Sequence, residues 1–365
     1  MTSFRKPVGL GLLIASAAAV AQMSASASVR PAPAGQRVSA LQPSPHAVRL
    51  RAPAPATLRD QIAALGRDFD GKAGIAVVSL GDGWEADWNA NARFPQQSCS
   101  KLWVAITALD AVDRGRISLD DRVSLDRSDL TLFHQPLGAK ILAGTAQSIS
   151  LGELMFTAIT ESDNTANDKL LRSIGGPPAV RSMIARKGLG AIRFYNGERA
   201  LQSKIAGLTW NPAYSIGSAF ADARTALPMS VRQAAFQRYI RDPYDGASPH
   251  AIANALAALK NGELLSPRST ERLLSTMGRT RTGGMRVRAA LGPGWEWNHK
   301  TGTGQELNGR IGGINDIGLL TAPDGTVYAV AIMTIPDHSD GSAQELMRNV
   351  AKTVIAFHDS RGGNA

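Results

Sequence analysis

Segments that resemble β-strands lie towards both ends of this sequence, and helix-like segments lie between them. Residues 73–80 form an apolar, β-branched run, and a Gly-Asp-Gly turn at 81–83 leads into a second short strand at 84–88. Near the other end, the same character recurs at 296–301, 316–321 and 327–335. This pattern predicts an α+β fold in which an antiparallel sheet is built from both chain ends and is flanked by helices.

The middle of the chain, at about residues 100–265, predicts an all-helical subdomain. Ser150 and Glu153 form a capping box in front of an apolar segment that extends to Thr160. Further helices are predicted at 165–174, 178–188 and 249–261, and a terminal helix from Ser342.

The first residues have the pattern of an export signal. Arg5 and Lys6 precede an apolar run at 8–21, and small residues suited to cleavage occur at 19–21 and 25–27. The run is too short and too rich in alanine to favour a membrane span. We therefore expect a signal peptide at 1–28, a periplasmic or secreted protein, and no membrane attachment after cleavage.

A proline- and alanine-rich segment follows the predicted signal. Residues 29–56 contain prolines at six positions and predict an extended linker. The catalytic domain is then expected at 57–365, and its size gives ample room for a full hydrophobic core.

Composition argues against several kinds of partner. The net charge of +10 would attract anionic polymers, but no run of basic residues is interleaved with aromatic ones, so no nucleic-acid partner is expected. The six histidines have no metal-ligand spacing, and the single cysteine, Cys99, allows no intrachain disulfide. We expect no metal and no cofactor, and a monomer is the default expectation.

Three short motifs place reactive residue types at distant positions. Ser98 and Lys101 are three positions apart at the start of an apolar helix, so the amine can reach the hydroxyl. Ser-Asp-Asn follows at 162–164, and Lys-Thr-Gly-Thr-Gly at 300–304. Each motif is common by itself, whereas the ordered trio is not. A serine beside a base is an activated nucleophile for attack on a carbonyl.

With these motifs in this order, the chain from about Thr57 onwards resembles the class A β-lactamases. Residue types and resemblance together assign acylation to Ser98, with Lys101 as its base. Ser162 would pass a proton to the departing ring nitrogen, while Lys300 holds that hydroxyl in a positive field. The substrate-binding residues predicted in the same way are Asn164, Gln202, Arg286, Thr301, Gly302 and Thr303. For Arg286, a surface position is an equal alternative.

The base for deacylation is predicted from resemblance alone. Glu198-Arg199-Ala200-Leu201-Gln202 resembles the E-x-x-L-N element of the class A enzymes and lies 198 − 162 = 36 residues after Ser162. The resemblance implies that Glu198 activates a water molecule on the acyl-enzyme and that the Gln202 amide positions it.

Two departures from the family pattern surround Glu198. Asn196 stands where the family usually has an arginine that pairs with an aspartate, and Asp245 is the candidate for that aspartate. Residues 203–244 read as an insertion, in which the spacing of Val231, Ala235 and Tyr239 predicts a helix. Either Asn196 hydrogen-bonds the Asp245 carboxylate, or the inserted helix braces the loop.

The function implied is hydrolysis of a β-lactam, a small molecule, through an acyl-enzyme. One alternative is a D-alanyl-D-alanine carboxypeptidase or transpeptidase-like protein, which would share the acylation residues. The other is a slow-turnover penicillin-binding protein that is acylated and stays modified. Phe133 or His134 would form an aromatic wall of the cleft or, equally, pack locally in a loop.

Overall fold

A computed structural model describes residues 52–362 of the chain. The predicted signal peptide and most of the predicted linker lie outside these residues. The described helices are α1 (Ala56–Arg67), α2 (Lys101–Asp113), α3 (Pro136–Leu142), α4 (Leu151–Thr160), α5 (Asn164–Ser173), α6 (Gly176–Arg186), α7 (Glu198–Ile205), α8 (Ala219–Ala226), α9 (Met229–Arg241), α10 (Pro249–Lys260), α11 (Pro267–Gly278) and α12 (Ser342–Gly362). The described strands are β1 (Ala52–Pro53), β2 (Gly71–Ser79), β3 (Trp84–Trp88), β4 (Arg122–Ser124), β5 (Ser148–Ser150), β6 (Glu296–Thr303), β7 (Glu306–Leu307), β8 (Arg310–Ile311), β9 (Ile314–Thr321) and β10 (Val327–Pro336).

The main sheet has six strands in the order β1-β3-β2-β10-β9-β6. Neighbouring strands in this sheet are antiparallel, except that β1 runs parallel to β3. The last strand, β10, lies between β2 from the start of the domain and β9. The predicted α+β fold, with a sheet built from both chain ends, is therefore confirmed.

The domain begins earlier than the sequence predicted. Ala52 pairs with Trp84 in the sheet, Ala54 is buried, and α1 starts at Ala56. The last five residues assigned to the linker, 52–56, are thus part of the fold. The main-chain hydrogen bond from the Ala54 N–H to the Glu85 carbonyl continues this edge pairing.

Helices cover both faces of the sheet. Along β2, Ile75 and Val77 face one core, which α1 and α12 complete, whereas Ala76 and Val78 face the other. This alternation follows from the period of two in a strand. The second core contains α2 and α10 and continues into the helical subdomain. That subdomain is not all-helical as predicted, because β4 and β5 form a two-stranded ribbon within it.

The insertion contains the predicted helix, α9, and a second helix, α8, that was not predicted. Ala235 and Tyr239 of α9 are buried, whereas Val231 is 42% exposed. Among the described residues, no helix is both long enough and apolar enough to cross a membrane.

Candidate active site

The nucleophile candidate lies in a short 3₁₀ turn, Gln97–Ser100, that leads directly into α2. Lys101 is the first residue of α2, and its Nζ donates a hydrogen bond to Ser98 Oγ at 2.7 Å. The Gln97 backbone has a φ of 53°, a left-handed conformation that typically costs ~1–3 kcal/mol for a residue other than glycine. Asp245 Oδ2 accepts the Gln97 N–H at 2.7 Å and holds this strained turn.

The second motif also has a left-handed residue at its serine, since the φ of Ser162 is 60°. Asp163 caps α5 by accepting the Ala166 N–H at 2.8 Å. Asn164 lines the cleft, but its amide already has two partners. Its Oδ1 accepts from Lys101 Nζ at 2.8 Å, and its Nδ2 donates to the Leu132 carbonyl at 2.8 Å.

The third motif lies on β6 beside the nucleophile turn. Lys300 is fully buried, and its Nζ donates to Ser162 Oγ at 2.9 Å. Burial, and then the positive charge of Lys101, lowers the Lys300 pKa to about 7. Gly302 is packed against the turn, and a Cβ there would overlap the carbonyl oxygen of Gln96. Gly302 therefore lets β6 approach Ser98, and it is not among the described residues that line the cleft.

Arg286 lies behind β6 and is not a surface residue. It is 9% exposed, and its guanidinium donates to Thr303 Oγ1 at 2.6 Å and to the Asn315 carbonyl at 2.6 Å. Burial lowers its pKa. The Thr301 hydroxyl lies 2.6 Å from that of Thr282. A positive charge and three hydroxyls thus face the same end of the cleft.

Glu198 is the first residue of α7 and reaches the nucleophile through Lys101. Its Oε1 accepts from Lys101 Nζ at 2.5 Å, and the side chains of Glu198 and Lys101 are 2% and 0% exposed. The other oxygen, Oε2, accepts from Gln202 Nε2 at 3.2 Å. The ion pair therefore joins two segments that are 97 positions apart.

Asp168 of α5 fixes the start of α7, a role that the sequence analysis missed. Its carboxylate accepts the N–H groups of Glu198 at 2.9 Å and Arg199 at 3.2 Å. Gly197, at the N-cap position, has no side chain that could do this. A helix that begins after glycine was the available signal that a distant side chain must supply the cap.

The cleft itself has a volume of about 300 Å³. Its lining includes Ser98, Ser162, Asn164, Gln202, Thr301, Thr303 and Arg286. Phe133 and His134 both line it as well, so both candidates for the aromatic wall face the cleft. Phe133 also packs edge-to-face against Phe220 of α8, with ring centres 5.1 Å apart. The insertion therefore supports one wall of the cleft.

Comparison with known proteins identifies the family. The family model described as the β-lactamase enzyme family matches residues 57–357. The chain belongs to the β-lactamase enzyme family. β-Lactamase CTX-M-97 of Escherichia coli is 26% identical over 299 residues, covering 82% of this chain and 88% of that protein. β-Lactamase OXY-1 of Klebsiella oxytoca is 25% identical over 298 residues, covering 81% of this chain and 88% of that protein.

Solved structures agree with this assignment. The crystal structure of TLA-3 extended-spectrum β-lactamase matches with a TM-score of 0.68 at 25% identity, covering 83% of this chain and 98% of that one. An ancestral class A β-lactamase, GNCA, matches with a TM-score of 0.66 at 28% identity, covering 82% and 99% of the two chains. The resemblance to class A β-lactamases is therefore confirmed.

This β-lactamase family member closes the loop around Glu198 with its insertion. Asp245 Oδ1 accepts the Tyr239 hydroxyl of α9 at 2.9 Å. Asn196 instead accepts from Arg181 Nη1 at 3.3 Å. Of the two alternatives left by the sequence, bracing by the inserted helix is the one found. Burial raises the pKa of Asp245 to about 7.

Gln305 is a further residue that the sequence did not indicate. Its Nε2 donates to the Gln202 carbonyl at 2.8 Å and to Gln202 Oε1 at 3.0 Å, linking the end of β6 to α7. Such a contact between residues 103 positions apart leaves no local pattern. In the described part of the β-lactamase fold, no group of three or more His, Cys, Asp or Glu residues is placed to hold a metal ion.

Proposed function

We propose that the chain is a class A serine β-lactamase that hydrolyses the β-lactam amide through an acyl-enzyme on Ser98. The observation that carries this proposal is the position of the Lys101 amine. It contacts the Ser98 hydroxyl at 2.7 Å and the Glu198 carboxylate at 2.5 Å. One buried amine therefore links the nucleophile that acylation needs to the carboxylate that deacylation needs.

In the acylation step, Lys101 first passes a proton to Glu198 and becomes a neutral amine. Ser98 Oγ then attacks the lactam carbonyl carbon and gives its proton to that amine. The backbone N–H groups of Ser98 and Thr303 would stabilise the oxyanion, and such donors are typically worth ~10²–10³ in rate each.

The C–N bond then breaks, and the ring nitrogen takes a proton from the Ser162 hydroxyl, which receives in its place the proton that Lys101 accepted. Glu198 returns its proton to Lys101 and is again a carboxylate. The contact of the Ser162 hydroxyl with Lys300 Nζ at 2.9 Å supports this route.

In the deacylation step, a water molecule attacks the ester carbonyl carbon. Glu198 takes the proton of the water, the C–O bond to Ser98 breaks, and Ser98 recovers its hydroxyl proton. The product is the ring-opened acid. The position of Gln202 supports this role for Glu198. Gln202 lines the cleft, and its Nε2 donates to Glu198 Oε2 at 3.2 Å.

The substrate carboxylate would bind at the Thr301 and Thr303 hydroxyls, with the buried Arg286 charge behind them. The contact of Arg286 with Thr303 at 2.6 Å supports this orientation. A buried guanidinium with its hydrogen bonds fixed by carbonyl groups is well suited to hold a carboxylate-binding hydroxyl in place. Gly302 would contribute by packing rather than by contact with the substrate.

Turnover of a chromogenic cephalosporin by the purified protein, with intact mass spectrometry of the same mixture, tests the proposal. Many product molecules per enzyme with little adduct is the expected result. A persistent adduct without turnover would instead identify a slow-turnover penicillin-binding protein. Cleavage of a D-alanyl-D-alanine peptide in place of the cephalosporin would identify the peptidase.

We also propose that the protein is exported as a periplasmic or secreted monomer after removal of residues 1–28. The basic start and apolar run of the sequence support this. The mass of the protein recovered from the producing cells tests the cleavage, since an intact N-terminus would contradict it. Size-exclusion chromatography with light scattering tests the monomer.

A further inference from the structure

The inserted helix α9 places the Tyr239 hydroxyl beside the buried polar side chains of Gln97 and Asp245. Tyr239 is 0% exposed, whereas Val231 in the first turn of α9 is exposed. The Tyr239 ring packs in the second core, the one that contains α2 and α10, and its centre lies 5.8 Å from that of the Tyr244 ring. Its hydroxyl is the atom of Tyr239 that forms hydrogen bonds with polar side chains near the active site.

That hydroxyl is used in both directions. It donates to Asp245 Oδ1 at 2.9 Å and accepts from Gln97 Nε2 at 2.7 Å. Asp245 Oδ2 in turn accepts the Gln97 N–H at 2.7 Å. Tyr239, Asp245 and Gln97 therefore form a closed ring of hydrogen bonds around the residue that precedes Ser98.

The same ring continues to the deacylation base. Gln97 Oε1 accepts from Gln202 Nε2 at 3.2 Å, and that same nitrogen donates to Glu198 Oε2 at 3.2 Å. The orientation of the Gln97 amide decides whether its oxygen faces Gln202. Two acceptors hold this orientation, because the nitrogen end of the amide donates to the Tyr239 hydroxyl at 2.7 Å and to the Gly312 carbonyl at 2.9 Å. The Tyr239 hydroxyl is the one of the two that comes from the insertion.

We propose that Tyr239 is a positioning residue for deacylation, through which the insertion orients Gln202 and Glu198. This inference rests on the proposed function, because it assigns to Glu198 the activation of water on the acyl-enzyme. The insertion is then part of the active-site architecture. It replaces, with a hydroxyl from α9, the arginine that the family resemblance led us to expect at Asn196.

The test compares Tyr239→Phe with Tyr244→Phe. The first change removes the hydroxyl that joins Asp245 and Gln97. The second removes, from the neighbouring ring, a buried hydroxyl without a hydrogen-bond partner among the described residues. Rapid mixing with a cephalosporin, followed by mass spectrometry, gives separate rate constants for acylation and deacylation, and thermal melting reports folding.

Tyr239→Phe is expected to slow deacylation about tenfold to 100-fold, as small misplacements of catalytic groups typically do, with acylation changed less than about threefold. Tyr244→Phe should leave both steps at the parent rates. Equal slowing of both steps, or parent-like deacylation in Tyr239→Phe, would overturn the inference. If Tyr239→Phe does not fold, Asp245→Asn removes the carboxylate that accepts the proton of the Tyr239 hydroxyl, and the same slowing of deacylation is expected.

The parent protein separates this inference from the proposed function. A parent that forms an adduct but shows no turnover would overturn the proposed function. The adduct lifetimes of parent and Tyr239→Phe would then still decide the inference, since equal lifetimes contradict it and a longer lifetime in the variant supports it. A parent that forms no adduct with any β-lactam overturns both.

Discussion

The two sides of the cleft are held in place in different ways. On the acylation side, Lys101 contacts Ser98 directly at 2.7 Å, and Lys300 contacts Ser162 directly at 2.9 Å. On the deacylation side, Glu198 depends on neighbours that are themselves held by others, through Asp168, Gln202 and the inserted helix. In the proposed mechanism, the acylation residues therefore come from short motifs, whereas the carboxylate for deacylation is held by long-range contacts that include the insertion.

The largest effect is expected from Ser98→Ala. Because the attacking oxygen is removed, turnover should fall on the order of 10⁶-fold, as is typical when a serine nucleophile is lost. Mass spectrometry should find no covalent adduct after incubation with a penicillin. A covalent adduct in this variant would show that another residue is acylated and would contradict the assignment of Ser98 to the acylation side of the cleft.

Glu198→Gln is expected to separate the two sides. Acylation should continue, whereas loss of the general base should slow hydrolysis by about 10²–10⁴-fold, so that the acyl-enzyme accumulates. Intact mass spectrometry during turnover measures this directly. Glu263→Gln, a change outside the cleft, is the matched control. Parent-like hydrolysis in Glu198→Gln would remove Glu198 from the mechanism.

Lys300 should give the acylation side a pH limit. Its pKa is lowered to about 7 by burial and by Lys101, so the free enzyme loses this positive charge as the pH rises above that value. The value of kcat/KM should therefore fall on the alkaline side with an apparent pKa near 7. In Lys300→Arg the guanidinium stays charged, and this limit should move up by more than about one pH unit.

The control for that prediction is Lys260→Arg at the exposed end of α10, which should reproduce the parent profile. An alkaline limit that is identical in the parent and Lys300→Arg would show that another group sets it. The pH profile of kcat/KM therefore shows whether Lys300, on the acylation side of the cleft, sets the alkaline limit.

The last effect concerns the free energy of unfolding rather than the reaction rate, and it is expected through Asp245. Burial raises its pKa from 3.8 to about 7, so at intermediate pH the folded state binds a proton that the unfolded state does not. Stability is therefore highest below the unfolded value and falls as the pH rises towards 7. The shift corresponds to roughly 4 kcal/mol at about 1.4 kcal/mol per pKa unit.

Asp245→Asn should flatten this dependence, as measured by urea unfolding between roughly pH 4.5 and 7. Lys300 does not disturb that window, since its lowered pKa increases stability only as the pH rises above about 7. Glu198 and Tyr239 are the other ionisable groups that face Asp245. An equally steep pH dependence in Asp245→Asn would assign it to groups outside this cluster.

The sequence predicted most of what is local. The capping box at Ser150 and Glu153, the strand at Trp84–Trp88 and the start of α10 at Pro249 are found as expected. These features depend on neighbouring residues only. Helix α1 was missed although Leu58 and Ile62, four positions apart, form its buried stripe.

What the sequence could not predict are the contacts that close over long separations. Tyr239 was expected on a helix of the insertion, but its hydroxyl partner Gln97 lies 142 positions away. Asp168 appeared only within a helix, and Gln305 was a residue after a motif. Such side chains become functional through the fold around them, and residue types alone do not reveal their partners.

The position of β10 has a consequence for the order of events as the protein is made. Strand β2 needs Val327–Pro336 on one side, and β9 needs the same segment. A ribosome must therefore release nearly the whole chain before the central strands can pair, and pairing of this kind is slow because distant segments must meet first. Until then Ser98 and Lys300 lie in separate unfolded segments of the nascent chain, and the proposed active site is not assembled.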